Sequence, residues 1–289
     1  MRALHFRKGT REERITIIAF LIVFAFTAFL HVYPIFWSLI NALKTGEEYF
    51  ASNTAMPSEW RFGNFLRVFN EFIVRDYNYM DMLWNSLWML FVRVFVNVAA
   101  SAMLAYVLAR FRFPGSSFLY LLVIIANTIP IIGSGAAGFK LMIDLDMINN
   151  PFTIWFSWAN GFDFAFIIFY GTFKGISRAY SEAAKIDGAN NMVIFFNVVL
   201  PQAIPSILAI AITQAIGVWQ DYSTPMIYMR DYPTLAYGLY LFDTESNYIQ
   251  DSKPIYFAAA IISCIPVIIL YGSNMQLIMN NVTAGGLKG

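Results

Sequence analysis

Side chains able to carry covalent or redox chemistry are sparse in this sequence. The two histidines, His5 and His31, and the single cysteine, Cys264, lie far apart. They are too few for an internal disulfide or for a zinc or iron–sulfur ligand set, so no metal is expected. No Ser-His-Asp, Cys-His or paired-carboxylate constellation falls at a recognisable spacing, and no catalytic residue is expected either. Gly133-Ser-Gly135-Ala-Ala-Gly138 satisfies the G-x-G-x-x-G pattern to the letter. A dinucleotide site needs a strand before that pattern and a helix after it, whereas this run closes an apolar stretch of membrane length. Phe139 also separates Gly138 from Lys140, one residue short of a phosphate-binding loop. Helix packing through small residues, or a local break, accounts for the glycines.

Charged and amide side chains inside apolar runs are the next candidates. Arg93 stands near the middle of one such run, where a lone charge costs roughly 2.5–3.5 kcal/mol on insertion scales, and it therefore calls for a partner. Asp163, at a similar depth by residue count, is one candidate for an intramembrane charge pair; a residue of another subunit or a water-filled path would also serve. Asn127, Thr128, Gln214, Trp219, Gln220 and Asp221 place polar or amphipathic groups in or near two further runs. They are candidates to line a path for a polar solute, although polar groups also hold membrane helices together.

The richest polar stretch is SRAYSEAAKIDGANNMVIFFNVVLP, beginning at Ser177. It reads as a short helix, a glycine break and a second helix that ends at Pro201 or bends there into the next span. Gly188 can take the left-handed conformation that ends a helix, Lys185 suits the dipole of the last turn, and Asn190 can cap the second helix. Pro201 has no amide with which to continue the ladder. Ala183 and Ala184 allow a partner surface to approach closely, next to the acceptor Glu182, as a docking knob requires.

These residues must be positioned by membrane helices. Of the 289 residues 58% are hydrophobic and 13% charged, against about 25% charged in soluble domains. A bilayer core about 30 Å thick needs roughly 20 apolar residues per helix. Six segments answer, at about 15–43, 82–109, 113–139, 150–173, 202–225 and 254–280. The first is longer than a cleavable signal core and reads as an uncleaved helix. The expected fold is all-α, a polytopic membrane protein with six transmembrane helices in a single permease domain over residues 1–289, with an inner loop at 174–201 and a tail at 281–289. Eleven basic residues against four acidic ones lie on the side holding both termini and the loops 110–115 and 174–201; the other side has seven basic and fourteen acidic. Both termini are therefore expected in the cytoplasm. With a net charge of only +1, no nucleic-acid partner is expected.

Glu182-Ala183-Ala184, three residues, Gly188, nine residues, then Val198, one residue, Leu200 and Pro201 resemble the EAA loop of ABC importer permeases, with valine in place of the usual isoleucine. The longer form through Asp187, Gly188 and Ala189, with Phe195, is similar to the carbohydrate, maltose-type branch. The proline often found before the motif is absent; Ile176-Ser177 stand there. Trp37-Ser38-Leu39, Leu43-Lys44-Thr45, Met56-Pro57, Asn64-Phe65, Asn85-Ser86-Leu87 and Ala105-Tyr106 through Phe113-Pro114-Gly115 extend the resemblance along most of the chain. Thr283 to Gly289 resemble the C-terminus of the smaller permease subunit of that type.

The resemblance implies a permease subunit of an ATP-driven importer of sugars, with oligosaccharides the expected class. Its loop residues Glu182, Ala183, Ala184, Asp187, Gly188 and Pro201 would couple to the ATPase, and Gly285, Gly286 and Lys288 would make a second ATPase contact. Asn127, Gln214, Trp219 and Asp221 would be candidates along the sugar path. The outer loop at 230–253 would meet the binding protein. Implied partners are a second homologous permease, two ATPase subunits, an extracytoplasmic sugar-binding protein and membrane lipid. ATP and magnesium would sit on the partner subunits, none on this chain, in a bacterial or archaeal plasma membrane. Open alternatives are a permease for a non-sugar solute, an ion-coupled secondary transporter, which the inner loop argues against, and a membrane enzyme.

Overall fold

The computed structural model describes residues 11–129, 133, 135–245 and 251–286, the last ten of these by their backbone alone. Among the described residues there is no strand, only an isolated bridge between Val74 and Tyr77. The chain divides into two compact units: residues up to 72 with 243–262, and 73–242 with those from 263 on.

In the first unit, α1 (Arg11–Ala42) carries no charged residue after Arg14 and leaves its apolar side chains exposed all round from Ile15 to Phe36. A helix apolar on every face is stable only where its surroundings are apolar too. It stops where polar groups return. Lys44 is 1% exposed, donating from Nζ to Asn41 Oδ1 at 2.9 Å and to the Ser52 carbonyl at 3.0 Å. Burial pushes the Lys44 ammonium below the usual lysine range, against the opposing pull of Glu48. A capping box opens α2 (Gly46–Ala51): Thr45 Oγ1 accepts from the Glu48 amide and the Glu48 carboxylate from the Thr45 amide, both at 3.1 Å. Hydrogen bonds from Ser58 and Thr45 hold the Glu48 carboxyl at about 2. Asn64, at the start of α3 (Asn64–Glu71), donates to the carbonyls of Ala42 and Lys44. Arg67 then bridges Glu71 and Asp251, and the Asp251 carboxylate receives the Gly46 amide. A Cβ on Gly46 would lie 2.5 Å from the Asp251 nitrogen, so only glycine fits this crossing.

The second unit is built on α4 (Tyr79–Arg110), which starts with a capping box from Asn78 and Asp81. Then come α5 (Ser116–Thr128), α6 (Gly135–Asp144), α7 (Trp155–Trp158), α8 (Phe164–Gly175), α9 (Arg178–Ile186), α10 (Asn191–Ile194), a π-turn at Phe195–Val199 and α11 (Leu200–Gln220). They are succeeded by α12 (Ser223–Tyr228), α13 (Leu235–Glu245) and α14 (Ser252–Gly286), the last two contributing residues to both units. The core of this second unit sets small residues of α4 and α11, Ala102, Ala105 and Ala203, against fully buried Phe166, Phe169 and Phe173 of α8. Small-against-aromatic packing lets the three backbones approach closely. Tyr106 lies within 4.5 to 5.7 Å, centroid to centroid, of Phe111, Phe173 and Phe195.

The protein is thus an all-α, multi-pass membrane protein. Arg11–Ala42, Tyr79–Arg110, Asn191–Gln220 and Ser252–Gln276 are long and apolar enough to cross a bilayer, and Ser116–Thr128 and Phe164–Gly175 are shorter apolar helices. Three spans differ from the sequence expectation. The third, expected over 113–139, is helical as α5 for 13 residues only, about 20 Å. Ile129 is extended, as a residue before proline tends to be, and Gly133 takes φ +90° before α6 restarts the helix. The fourth, expected over 150–173, is interrupted between α7 and α8, where Asp163 acts as N-cap of α8 instead of lying inside a helix. The fifth, expected at 202–225, begins upstream at Asn191 and ends at Gln220.

Candidate functional site

The inner loop folds as its sequence implies, with more hydrogen bonding than the sequence discloses. Ser177 Oγ accepts from the Ala179 amide at the start of α9. At its end Gly188 takes φ +84°, its amide bonds to the Lys185 carbonyl at 3.0 Å, and the Ala189 amide reaches back to the Ala184 carbonyl at 2.9 Å. That is a Schellman termination, in which a left-handed residue satisfies two otherwise orphaned carbonyls. Asn190 Oδ1 then accepts from the Val193 amide and starts α10. Glu182, Ala183, Asp187 and Gly188 are exposed and Ala184 half-buried. Nothing lies within 4 Å of a Cβ built on Gly188, so conformation alone demands glycine there.

Pro201 does not end the second helix. α10 continues through the π-turn into α11, with Pro201 in the first turn of α11, where a missing amide is tolerated. The motif by itself does not disclose the exposed apolar side chains around it. Ile186 is 87% exposed and Tyr180 and Met192 are exposed as well, on a loop too polar to sit in lipid. Their signal was present in the sequence as apolar residues flanking a charged helix.

The second group lies between α4, α11 and the turn before α8. Arg93 finds its partner in Asp221, at 2.6 Å from Nη1 to Oδ2. Asp221 also accepts from the Thr224 amide at 3.0 Å and from the Thr224 hydroxyl at 2.5 Å. The expected Arg93–Asp163 pair is not formed. Because the backbone before α8 is not helical, residue count did not translate into depth, and Asp163 Oδ1 instead serves the Phe166 amide at 3.1 Å and Ser101 Oγ at 2.8 Å.

Beside Arg93 opens a recess of about 370 Å³, lined by Asn97, Ser157, Trp158, Asn160 and Gln214. Gln214 Nε2 donates to Asn97 Oδ1 at 2.7 Å, and Asn97 Nδ2 to the Asn160 carbonyl at 3.2 Å. Of the four path candidates, Gln214 faces this recess and Asp221 sits behind it through Arg93. Trp219 is buried and donates from Nε1 to the Ser263 carbonyl at 2.9 Å, which makes it a packing residue. Asn127 is exposed near the end of α5 and bonds back to the Val123 carbonyl, away from the others. The sequence does not single out Asn97 or Asn160, although Asn97 stands one helical turn beyond Arg93. Amide, hydroxyl, indole and guanidinium groups around one recess suit a ligand rich in hydroxyls.

Of the tail, α14 includes the backbone of Gly285 and Gly286, while Lys288 lies outside the described residues. The Gly133–Gly138 run comes after a helix, not a strand, and Ser134 too lies outside the described residues.

Residues 98–282 match the family of binding-protein-dependent transport system inner membrane components. The arabinooligosaccharides transport system permease protein AraQ of Halalkalibacterium halodurans is 30% identical, over 92% of this chain and 94% of that protein. The diacetylchitobiose uptake system permease protein NgcG of Streptomyces coelicolor is 28% identical over 89% and 84%. A solved bacterial ABC transporter involved in import of the acidic polysaccharide alginate shares the fold, with a TM-score of 0.78 at 22% identity over 93% of this chain and 99% of that one.

Proposed function

The chain belongs to the family of inner membrane components of binding-protein-dependent transport systems, and we propose that within it this protein is a permease subunit of an ATP-driven importer of oligosaccharides. One observation carries the coupling role: α9 is an exposed helix closed by a Schellman turn at Gly188 and flanked by bare apolar side chains, a shape made for a partner's cleft. The sugar class is supported by relatives named for arabinooligosaccharides and diacetylchitobiose and by the hydroxyl-matching recess beside Arg93.

Of two ATPase subunits holding ATP and magnesium, one would receive α9 in a cleft, and the pair would take the tail at Gly285, Gly286 and Lys288. A second permease would face the recess, and an extracytoplasmic binding protein would deliver the sugar. Both termini are cytoplasmic, in a bacterial or archaeal plasma membrane. Closure of the ATPase pair displaces α9, and continuous helix from Asn191 to Gln220 carries that displacement into the membrane beside Arg93 and Asp221. Such coupling works only if α9 holds different contacts in the two states, since contacts equal in both shift no equilibrium.

Affinity purification from the native membrane in mild detergent, with mass spectrometry of the retained proteins, tests this reading. Recovery of an ATPase, a different permease and a lipid-anchored binding protein is expected. Recovery of this chain alone, under conditions that preserve other membrane complexes, would sink it.

A further inference from the structure

Among the described residues some cations have a carboxylate partner and others, Lys44, Lys185 and Arg230 among them, have none. Arg61, Arg67, Arg93, Lys140 and Lys253 each have a carboxylate within 4 Å. Arg110, Arg112, Lys174 and Arg178 have none among the described residues, and they gather at one boundary: the end of α4, the turn before α5, the end of α8 and the start of α9. A recess of about 260 Å³ opens between three of them, with Arg112, Lys174 and Arg178 on its walls. The hydroxyl-bearing residues Ser116, Ser117, Tyr120 and Tyr170 complete the polar lining. None of these four hydroxyls has a protein partner among the described residues, and no carboxylate lines the space. Tyr120 and Tyr170 pack at 4.6 Å between ring centroids, and Lys174 Nζ sits 5.4 Å from the Tyr170 centroid. Arg110 lies on the neighbouring recess, which Glu182 also lines, and there buries Nε and Nη2 without an acceptor, although buried donors are normally satisfied.

A concave site made of donors and cations selects an oxyanion, and a phosphate offers the needed acceptors. One more observation selects its carrier. From Ser117 the same helix continues with Phe118, Leu121 and Ile125, exposed by 63, 52 and 41%; these apolar side chains lead away from the polar recess along one side of α5. A headgroup in the recess would have its acyl chains along that stripe. We propose that this recess binds the phosphate of one anionic phospholipid, seated between the second, third and fourth spans next to the coupling helix. In the orientation proposed above, that is a lipid of the cytoplasmic leaflet, where basic pockets between helix ends meet acidic headgroups.

The test uses the assembled transporter reconstituted in nanodiscs of phosphatidylglycerol, of phosphatidylcholine and of their mixture, with native mass spectrometry of retained lipid. The intact protein should retain phosphatidylglycerol in preference to phosphatidylcholine. Arg112→Gln and Lys174→Gln should each lower that preference about five-fold, while Arg112→Lys, which conserves the charge, should keep most of it and so separates lost binding from lost folding. Equal retention of both lipids by the intact protein, or an unchanged preference in the two glutamine variants, overturns the proposal. Displacement of the bound lipid by millimolar inorganic phosphate would assign the recess to a soluble anion and also overturn it. Loss of the ATPase from the glutamine variants with lipid preference intact would make the cations part of the subunit interface, a third way to refute the lipid.

Discussion

Arg93 and Asp221 are the residues on which the membrane part of the site is most exposed to failure. Removing one member of a pair held at 2.6 Å, with side chains 31% and 19% exposed, leaves the other charge in a poor solvent. Arg93→Ala should therefore lower stability by about 3 kcal/mol, and Arg93→Ala combined with Asp221→Ala should cost less than the two singles added. Thermal unfolding of the purified complex measures both; additive losses would mean the pair is not coupled. Glu48 supplies a pH test outside the membrane. Its carboxyl is held at about 2 against an ordinary 4.5, so the stability it gives is complete above pH 4.5 and is lost as pH falls from there toward 2. Hydrogen exchange over residues 45–60 should rise across that window, and Glu48→Gln should abolish the dependence. The sequence made Arg93's need for a partner legible from its setting alone. It could not name Asp221, because choosing between two carboxylates takes the backbone path before α8, where Asn160 and Gly161 break the helix.

At the scale of elements, the inner loop was the most readable stretch, since each of its signals is local: a serine cap, a glycine stop, an asparagine restart. Gly188→Val keeps clear space around the side chain yet forces a β-branched residue to φ +84°, at a cost of about 1–3 kcal/mol. The α9 terminus should reshape, the protein should still reach the membrane, and ATPase association should fall by roughly ten-fold or more, which co-purification quantifies. Undiminished association and uptake would remove α9 from coupling. The third and fourth spans were less legible. Hydropathy reports where apolar residues are, but not whether the backbone runs through them as one helix; the extended Ile129 and left-handed Gly133 in one span and Asn160-Gly161 in the other decide that. At Pro201 the sequence left open a stop or a passage into the next span, and the π-turn just before it lets the helix pass through.

For the whole molecule, composition and charge asymmetry carried most of the message. The eleven basic residues on one side against seven on the other predict that, in a background with Cys264→Ala, Glu59→Cys reacts with a membrane-impermeant maleimide on intact cells and Tyr180→Cys only after permeabilisation. The reverse pattern would invert the topology and with it the assignment of α9 to the ATPase side. Of the recess at Asn97, Asn160 and Gln214 the sequence offered only Gln214, since its walls come from α4, α7 with the turn after it, and α11, positions that only packing unites.

The wide turn at Phe195–Val199 has a geometric corollary. A π-turn differs from regular helix by one inserted residue, and one residue corresponds to about 100° of rotation and 1.5 Å of rise. The wide turn, closed by the Leu200 amide on the Phe195 carbonyl, absorbs that extra residue locally, so α9 keeps its azimuth about the α11 axis as if the residue were not there. Deleting a single residue between Phe195 and Val199 would restore a regular turn and leave the coupling helix facing its cleft, whereas a further residue that the turn could not absorb would swing it by more than a quarter of a circle.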